Sequence, residues 1–325
     1  MQPVNFPIPV LLPAPKVLEV LDDGVRFDSW GAQFYTDGAA VTWGSFILEV
    51  MEEALDMAKI AVARPGRDQD SFAVRLREAV VRPGQSEAYR LWIDKDGILI
   101  EAATAAGAFR GAVTLRQLAR QAPAKGTLPC VHIEDWPDFT HRGLMLDISR
   151  CRVPVMAELF ALADLLADLK LNQLQLYTEH TFAYQNHRAV WDGCSPLTAA
   201  EIRAFDDYCR QRHIELVPNQ NAFGHLERWL CQEEYAHLAE APDGFVTPWG
   251  ERRDRPGTLN PLNPKSLRLV TELCDELLPN FRSRLFNVGC DETFDLGQGR
   301  SREECERRGV GRVYLEFLQK IYKTA

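Results

Sequence analysis

From Gly143 onward, short apolar runs alternate with stretches of helical period, and that alternation restricts this part of the chain to α/β architectures built on a parallel sheet. Residues 143–148 read as a first strand. Pro154 suits the first turn of a helix in which Met156, Leu159, Leu162, Leu166 and Leu169 recur at helical intervals. Residues 171–177 form a second strand that ends in Thr178-Glu179-His180. Thr198-Ala199-Ala200-Glu201 is a capping box with Leu197 and Ile202 as its hydrophobic staple, so a helix runs from there to about Arg212. A third strand, residues 214–217, is followed by a long connection carrying Asn219, Asn221, Phe223-Gly224-His225, Trp229 and Trp249. A helix then opens at Asn263-Pro264 and leads to a fourth apolar strand, residues 285–290, which ends abruptly in Asp291-Glu292.

Residues 1–134 have a different texture and read as a small α+β domain of their own. Two alternating segments around Asp94-Lys95-Asp96-Gly97 predict a hairpin. The Asp-x-Asp-Gly there lacks the closing Glu of a calcium loop, so a turn is the expectation. Phe109, Val113, Leu115 and Leu118 predict one covering helix over residues 105–120, and residues 130–139 read as a linker. The fold class expected is therefore α/β: an N-terminal α+β domain, residues 1–134, followed over residues 135–325 by the first half of a TIM (β/α)8-type barrel.

A net charge of −9 argues against nucleic acid or an anionic membrane surface as partner. Met1 to Pro7 has no basic n-region, and Pro7, Pro9, Pro13 and Pro15 interrupt the first apolar run, so no leader is expected. The eight cysteines stand singly, without CxxC pairs or a zinc-spaced His/Cys cluster, which predicts reduced thiols in a cytoplasmic protein with no metal and no cofactor.

In parallel α/β folds ligands bind beyond the carboxyl ends of the strands. The polar residues expected there are Arg142 and Asp147 around the first strand, Glu179 and His180 after the second, His225 after the third, and Asp291 with Glu292 after the fourth. Adjacent strand residues face opposite ways, so the two terminal carboxylates are expected to diverge. Each residue also has a structural reading. Arg142 could pair Asp135 or Asp138, and His225 beside Gly224 could be a packed loop residue. The triplet Cys290-Asp291-Glu292 also occurs at Cys274-Asp275-Glu276, where helical spacing puts the acids on a solvated face.

The motifs carry a family resemblance. His141-Arg142-Gly143-Leu144-Met145-Leu146-Asp147-Ile148-Ser149-Arg150 resembles the opening barrel strand of glycoside hydrolase family 20, the β-N-acetylhexosaminidases. Phe223-Gly224-His225 is similar to that family's Gly-His element, and Asn287-Val288-Gly289-Cys290-Asp291-Glu292 to its catalytic strand. Residues 106–118 and Ile133-Glu134-Asp135-Trp136-Pro137 resemble the end of the small domain that precedes the barrel.

The resemblance implies a glycoside hydrolase that removes terminal, non-reducing, β-linked N-acetylhexosamine from glycans containing N-acetylglucosamine or N-acetylgalactosamine, by substrate-assisted retaining catalysis. Glu292 would be the general acid, and Asp291 would orient the 2-acetamido group whose oxygen is the nucleophile. Arg142 would bind sugar hydroxyls, and Glu179 with His225 would form a carboxylate-histidine pair near Glu292. The alternatives are another acid/base glycosidase, or a non-catalytic sugar-binding or scaffold protein if the chain is complete at 325 residues. The chain departs from the family pattern where Glu179-His180 and Asn219 with Asn221 replace acids, and only about four βα units fit between Arg142 and Ala325. Open strand edges are then expected to leave the isolated chain poorly active and to favour a homo-oligomer.

Overall fold

The computed structural model describes residues 8–27, 31–63 and 71–324; the leader reading of Met1 to Pro7 lies outside them. Two compact units are present, one comprising Met1–Arg142, Asp164–Asn172 and Gln211–His213, the other Gly143–Ala163, Gln173–Arg210 and Ile214–Ala325.

The first unit is built on a six-stranded mixed sheet. In chain order its elements are β1 (Val17–Arg26), β2 (Gly31–Asp37), α1 (Ser45–Met57), β3 (Ser71–Glu78), β4 (Tyr89–Asp94), β5 (Gly97–Ala102), α2 (Ala105–Arg120) and β6 (Thr127–Asp135). The strand order is β1-β6-β4-β5-β3-β2; β1, β6, β4 and β5 pair antiparallel, while β5, β3 and β2 pair parallel. The β4–β5 hairpin turns where expected, and the Asp94 carboxylate accepts a 2.8 Å bond from the Asp96 backbone N–H, which is the work of a turn residue.

Thr104 caps α2 by accepting from the Gly107 N–H at 3.2 Å, and Phe109, Val113, Leu115 and Leu118 are all buried. Two expectations need correction. Among the described residues a second helix, α1, packs against α2 and buries Ile47, Val50, Met51, Ala54 and Leu55; its start at Gly44 carries no side-chain cap that a sequence could announce. Residues 130–135 are strand, not linker. They close β6, an interior strand paired on both sides, and so alternate buried Val131, Ile133 and Asp135 with the partly buried His132 and Glu134.

The second unit contains β7 (Gly143–Asp147), α3 (Met156–Asp168, whose last turn counts with the first unit), β8 (Gln173–Tyr177), the single turn α4 (Arg188–Trp191), α5 (Ala199–Gln211) and β9 (Glu215–Val217). They are followed by α6 (Glu227–Leu230), the two-residue strands β10 (Phe245–Val246) and β11 (Arg252–Arg253), α7 (Pro264–Leu277), α8 (Arg302–Arg308) and α9 (Val310–Thr324). Strands β7, β8 and β9 pair parallel in chain order with helices between them, the opening of a TIM-type barrel. The expected fourth strand lies beside the end of β9 but is no regular strand. Asn287 donates to the Pro218 carbonyl at 3.0 Å, Gln220 donates to the Asn287 carbonyl at 3.1 Å, and Ala222 donates to Val288 at 3.0 Å, one parallel bridge among irregular backbone. Gly289 ends the pairing with a φ of +46°, and a Cβ there would overlap the Asn221 side chain.

The capping box of α5 is made in both directions, with the Glu201 N–H donating to Thr198 Oγ1 at 3.2 Å and the Thr198 N–H to Glu201 Oε2 at 2.8 Å. Thr198→Ala is expected to destabilise the second unit by about 1 kcal/mol, read as a lower urea midpoint with an unchanged m-value.

Candidate functional site

Within the second unit, a cleft of about 700 Å³ opens beyond the carboxyl ends of β7, β8 and β9. Arg150, Glu179, His225, Trp249 and Glu292 line it. The imidazole of His225 is the meeting point: Nε2 stands 3.5 Å from Glu292 Oε2 and 3.7 Å from Asp291 Oδ2, and Nδ1 stands 3.9 Å from Glu179 Oε1. Four of the five residues given roles by the family resemblance, Glu179, His225, Asp291 and Glu292, are thereby brought together. The two adjacent carboxylates do not diverge as expected. Glu292 has a φ of +51°, which breaks the extended geometry and returns its side chain to the imidazole that Asp291 already faces.

Arg142 is not part of this group, and its expected sugar contact is corrected. It precedes β7 and so belongs to the amino end of that strand, in the first unit, where its guanidinium is fully engaged. Nη2 meets Glu87 Oε2 at 2.7 Å, Nη1 donates to the Phe139 carbonyl at 2.9 Å, and Nε donates to the Lys170 carbonyl at 3.1 Å. Of the arginines that line the cleft, Arg150 is the one that follows the carboxyl end of β7. It lies 3.3 Å from Glu179 and 3.1 Å from Asp147, and it donates to Tyr177 Oη at 2.8 Å. The signal for it was available, since only an arginine beyond the strand's carboxyl end can reach a barrel-type site.

Electrostatics follow from these contacts. Burial alone would lower Arg150, but the bond to Tyr177 and the charges of Glu179 and Asp147 outweigh it and hold the guanidinium firmly charged. Tyr177 is pushed well up by burial and by Glu179, so it stays a neutral phenol that donates to Glu179 Oε1 at 2.8 Å. Cys290, next to Asp291, is pushed up to about 12 by burial and then by that carboxylate; it is a thiol at neutral pH and no nucleophile.

The supports of the site are buried backbone contacts that sequence reading did not find. Gly224 presses against the carbonyl oxygen of Asp291, where any Cβ would overlap it, and this close approach carries His225 to the two acids. The Cys290 carbonyl accepts from Tyr314 Oη at 2.9 Å, and in α9 Tyr314 stacks on Phe223 while Phe317 packs against it at a tilt. Trp229 donates to the Glu179 carbonyl at 2.7 Å. Downstream of Glu292, Asp295 is 1% exposed and accepts from the N–H groups of Gly257 and Thr258, both at 3.0 Å. Glu240 is wholly buried and accepts from the backbone N–H groups of Gly297, Gly299 and Ser301 and from Ser301 Oγ at 2.6 Å. Asn219 and Asn221, which stand where acids were expected, are buried: Asn219 donates to Gln175 at 3.2 Å and Asn221 to the Thr178 carbonyl at 3.1 Å. Among the described residues no group of three or more His, Cys, Asp or Glu side chains could hold a metal ion, and no helix is long and apolar enough to cross a membrane.

The model of glycosyl hydrolase family 20, domain 2, matches residues 9–136, and that of the family 20 catalytic domain matches residues 139–308. The chain belongs to glycosyl hydrolase family 20. Similar members include a beta-hexosaminidase of Porphyromonas gingivalis, 27% identical over 70% of this chain and 32% of that protein, and the beta-hexosaminidase subunit beta of Sus scrofa, 26% identical over 71% of this chain and 44% of that one. The chain thus spans less than half of the length of these relatives. Among solved structures, the family 20 exo beta-N-acetylglucosaminidase of Vibrio harveyi in complex with N-acetylglucosamine superposes with a TM-score of 0.78 at 21% identity, covering all of this chain and 55% of that one. The Bacteroides fragilis beta-N-acetylhexosaminidase has a TM-score of 0.74 at 20% identity over 97% of this chain and 64% of its own. The family fold, a small domain followed by TIM-type barrel units, is therefore shared at low identity.

Two predictions come from the site's geometry. A left-handed φ at a non-glycine residue costs on the order of 1 kcal/mol, and Glu292 is half exposed, so its side chain contributes little packing. Glu292→Gly should be more stable than Glu292→Ala by about 1 kcal/mol in chemical denaturation, the reverse of the usual order; equal stabilities would mean the backbone there is relaxed. The second concerns His180, which burial and the charge of Arg228 push down to about 4 against a weaker pull from Asp147. The unfolded imidazole binds a proton that the folded one refuses between pH 6.5 and 4, so this contribution to stability is complete above pH 6.5 and falls with pH through that window. His180→Gln should flatten that part of the stability profile, and an unchanged slope would rule the effect out.

Proposed function

We propose that this chain carries the acid and the acetamido-binding carboxylate of an exo-acting β-N-acetylhexosaminidase that works by substrate-assisted, retaining hydrolysis. The observation that supports it is the convergence of Asp291 and Glu292 on the imidazole of His225, which lines the cleft together with Glu292, Arg150 and Glu179. In this reading Glu292 gives its proton to the glycosidic oxygen as the bond to the anomeric carbon breaks. The substrate's own acetamido oxygen bonds to that carbon from the opposite face, and Asp291 takes a hydrogen bond from the acetamido N–H as positive charge develops on the oxazolinium. Water then attacks with Glu292 as base, and two inversions return the original configuration.

The roles first given to Arg142 pass to Arg150, whose fork of donors faces the cleft beside Glu179 and suits vicinal sugar hydroxyls. His225, between Glu179 and Glu292, serves as the positioning partner of the acid. Trp249 is 61% exposed beside Phe294, a platform on which a sugar ring could stack. The reading extends to glycans ending in N-acetylglucosamine or N-acetylgalactosamine, to a cytoplasmic setting supported by the singly spaced cysteines, and to self-association supported by the exposed Leu144 and Met145 of β7, which sits at the edge of its sheet.

The test compares leaving groups. Glu292→Gln should lose on the order of a hundredfold to ten-thousandfold in kcat/KM on a natural disaccharide and recover much of it on an aryl glycoside whose phenol departs unprotonated. Asp291→Asn should keep its penalty with both, and a substrate with 2-hydroxyl in place of 2-acetamido should be turned over very slowly. Equal rates on the hydroxyl and acetamido substrates would point instead to a glycosidase with an enzyme nucleophile. The absence of turnover together with specific sugar binding would point to a non-catalytic lectin-like role.

A further inference from the structure

The first unit holds a separate cavity of about 170 Å³, and nothing in the proposed glycosidase chemistry uses it. We propose that it binds a small carboxylate with a compact aromatic body. Its deep lining contains five charged side chains: three cations, Arg110, Arg142 and Lys170, against two carboxylates, Glu87 and Asp135, all with side chains 17% exposed or less. At the mouth Lys16 and Asp138 pair with each other at 2.5 Å and leave that balance unchanged. Buried charges are normally matched, so a surplus of one cation in a desolvated lining calls for one anion.

The hydrogen bonds say which kind of ligand completes it. The acceptors are saturated: Glu87 takes bonds from Arg110 Nε at 2.8 Å, from both terminal nitrogens of Arg142 and from Asn172 Nδ2 at 2.8 Å. Asp135 takes bonds from Lys170 Nζ at 2.8 Å, Tyr89 Oη at 3.2 Å and the N–H groups of Lys16 and Trp136. The donors are not saturated. Arg110 is 2% exposed and uses Nε on Glu87 and Nη2 on the His213 carbonyl, but its Nη1 finds no partner among the described residues. The Lys170 ammonium has three protons and, among the described residues, two acceptors, Asp135 and Tyr89 Oη. A lining with open donors and filled acceptors selects a ligand that accepts without donating, which excludes a sugar and favours a carboxylate. Both unsaturated cations also feel the surplus: burial lowers Arg110 and Lys170, and Arg142 lowers each further.

The remaining walls are apolar, with Pro13, Trp136, Pro137 and, at the rim, Phe139, which is 74% exposed. An apolar cavity of roughly 150 Å³ accommodates a benzene-sized ring, so the volume fits one ring with its carboxylate and falls well short of a drug-sized molecule.

Benzoate is the probe, titrated calorimetrically into the protein in a chloride-free buffer. Saturable one-to-one binding is expected, with benzamide, acetate and chloride each at least tenfold weaker. Phe139→Ala should weaken benzoate several-fold without moving the thermal midpoint, since that side chain lies at the surface. Lys170→Met should abolish binding; should that variant fail to fold, the ligand series and Phe139→Ala still decide. No saturation by benzoate, benzamide binding as tightly as benzoate, or chloride competing on equal terms would each overturn the proposal, leaving a cavity that holds water or an inorganic ion only.

Discussion

Two buried carboxylates with no cationic partner among the described residues, Glu240 and Asp295, hold the candidate site in shape. Removing a carboxylate from water is expensive, and here backbone N–H donors from turns on neighbouring loops offset the cost at Glu240 and at Oδ2 of Asp295, whose Oδ1 finds no partner among the described residues. Each such bond fixes a peptide as well as a charge. Glu240 gathers Gly297, Gly299 and Ser301, while Asp295 ties the far end of the Asp291-Glu292 segment to Gly257 and Thr258. The exposed acids of the cleft are therefore mounted on a loop whose backbone is determined from below. This allows Glu292 to keep a left-handed backbone without a glycine to ease it.

Much of the fold was legible because it obeys local rules. The β4–β5 hairpin has its turn residues, α5 its capping box, α7 its Asn263-Pro264 start, and β7, β8 and β9 their apolar runs. What escaped was set by partners distant in sequence. β6 looked like a linker because its alternation is short and ends in Trp136-Pro137, and only pairing with β1 and β4 makes it an interior strand. The fourth barrel segment looked like a regular strand because its apolar content is right; the turn at Gly289 against Asn221 is a contact across many residues.

The site was legible in its chemistry and less so in its aim. Glu179, His225, Asp291 and Glu292 could be picked out by their places at strand ends, and they do share one cleft region. The choice of Arg142 over Arg150 shows the limit of reading composition near a strand without its direction. Both arginines flank β7, and the one at its amino end finds Glu87 instead. The convergence of the two acids likewise depended on a single backbone dihedral that no side-chain pattern encodes.

The pairing of Glu87 and Asp135 with residues far downstream has a consequence for how the chain can be divided. Asp135 is neutralised by Lys170, and Glu87 also takes a bond from Asn172, so the first unit borrows a short stretch from beyond β7 and a second, Gln211–His213, from the end of α5. A polypeptide released after Arg142, where the two textures of the sequence meet, would deprive the buried Asp135 of its Lys170 ion pair and Arg110 of the His213 carbonyl. During synthesis, the small N-terminal sheet therefore cannot reach its final stability until some two hundred residues have emerged. Its autonomy as a folding body is that of the longer, discontinuous unit, not of the contiguous segment that looks like a domain.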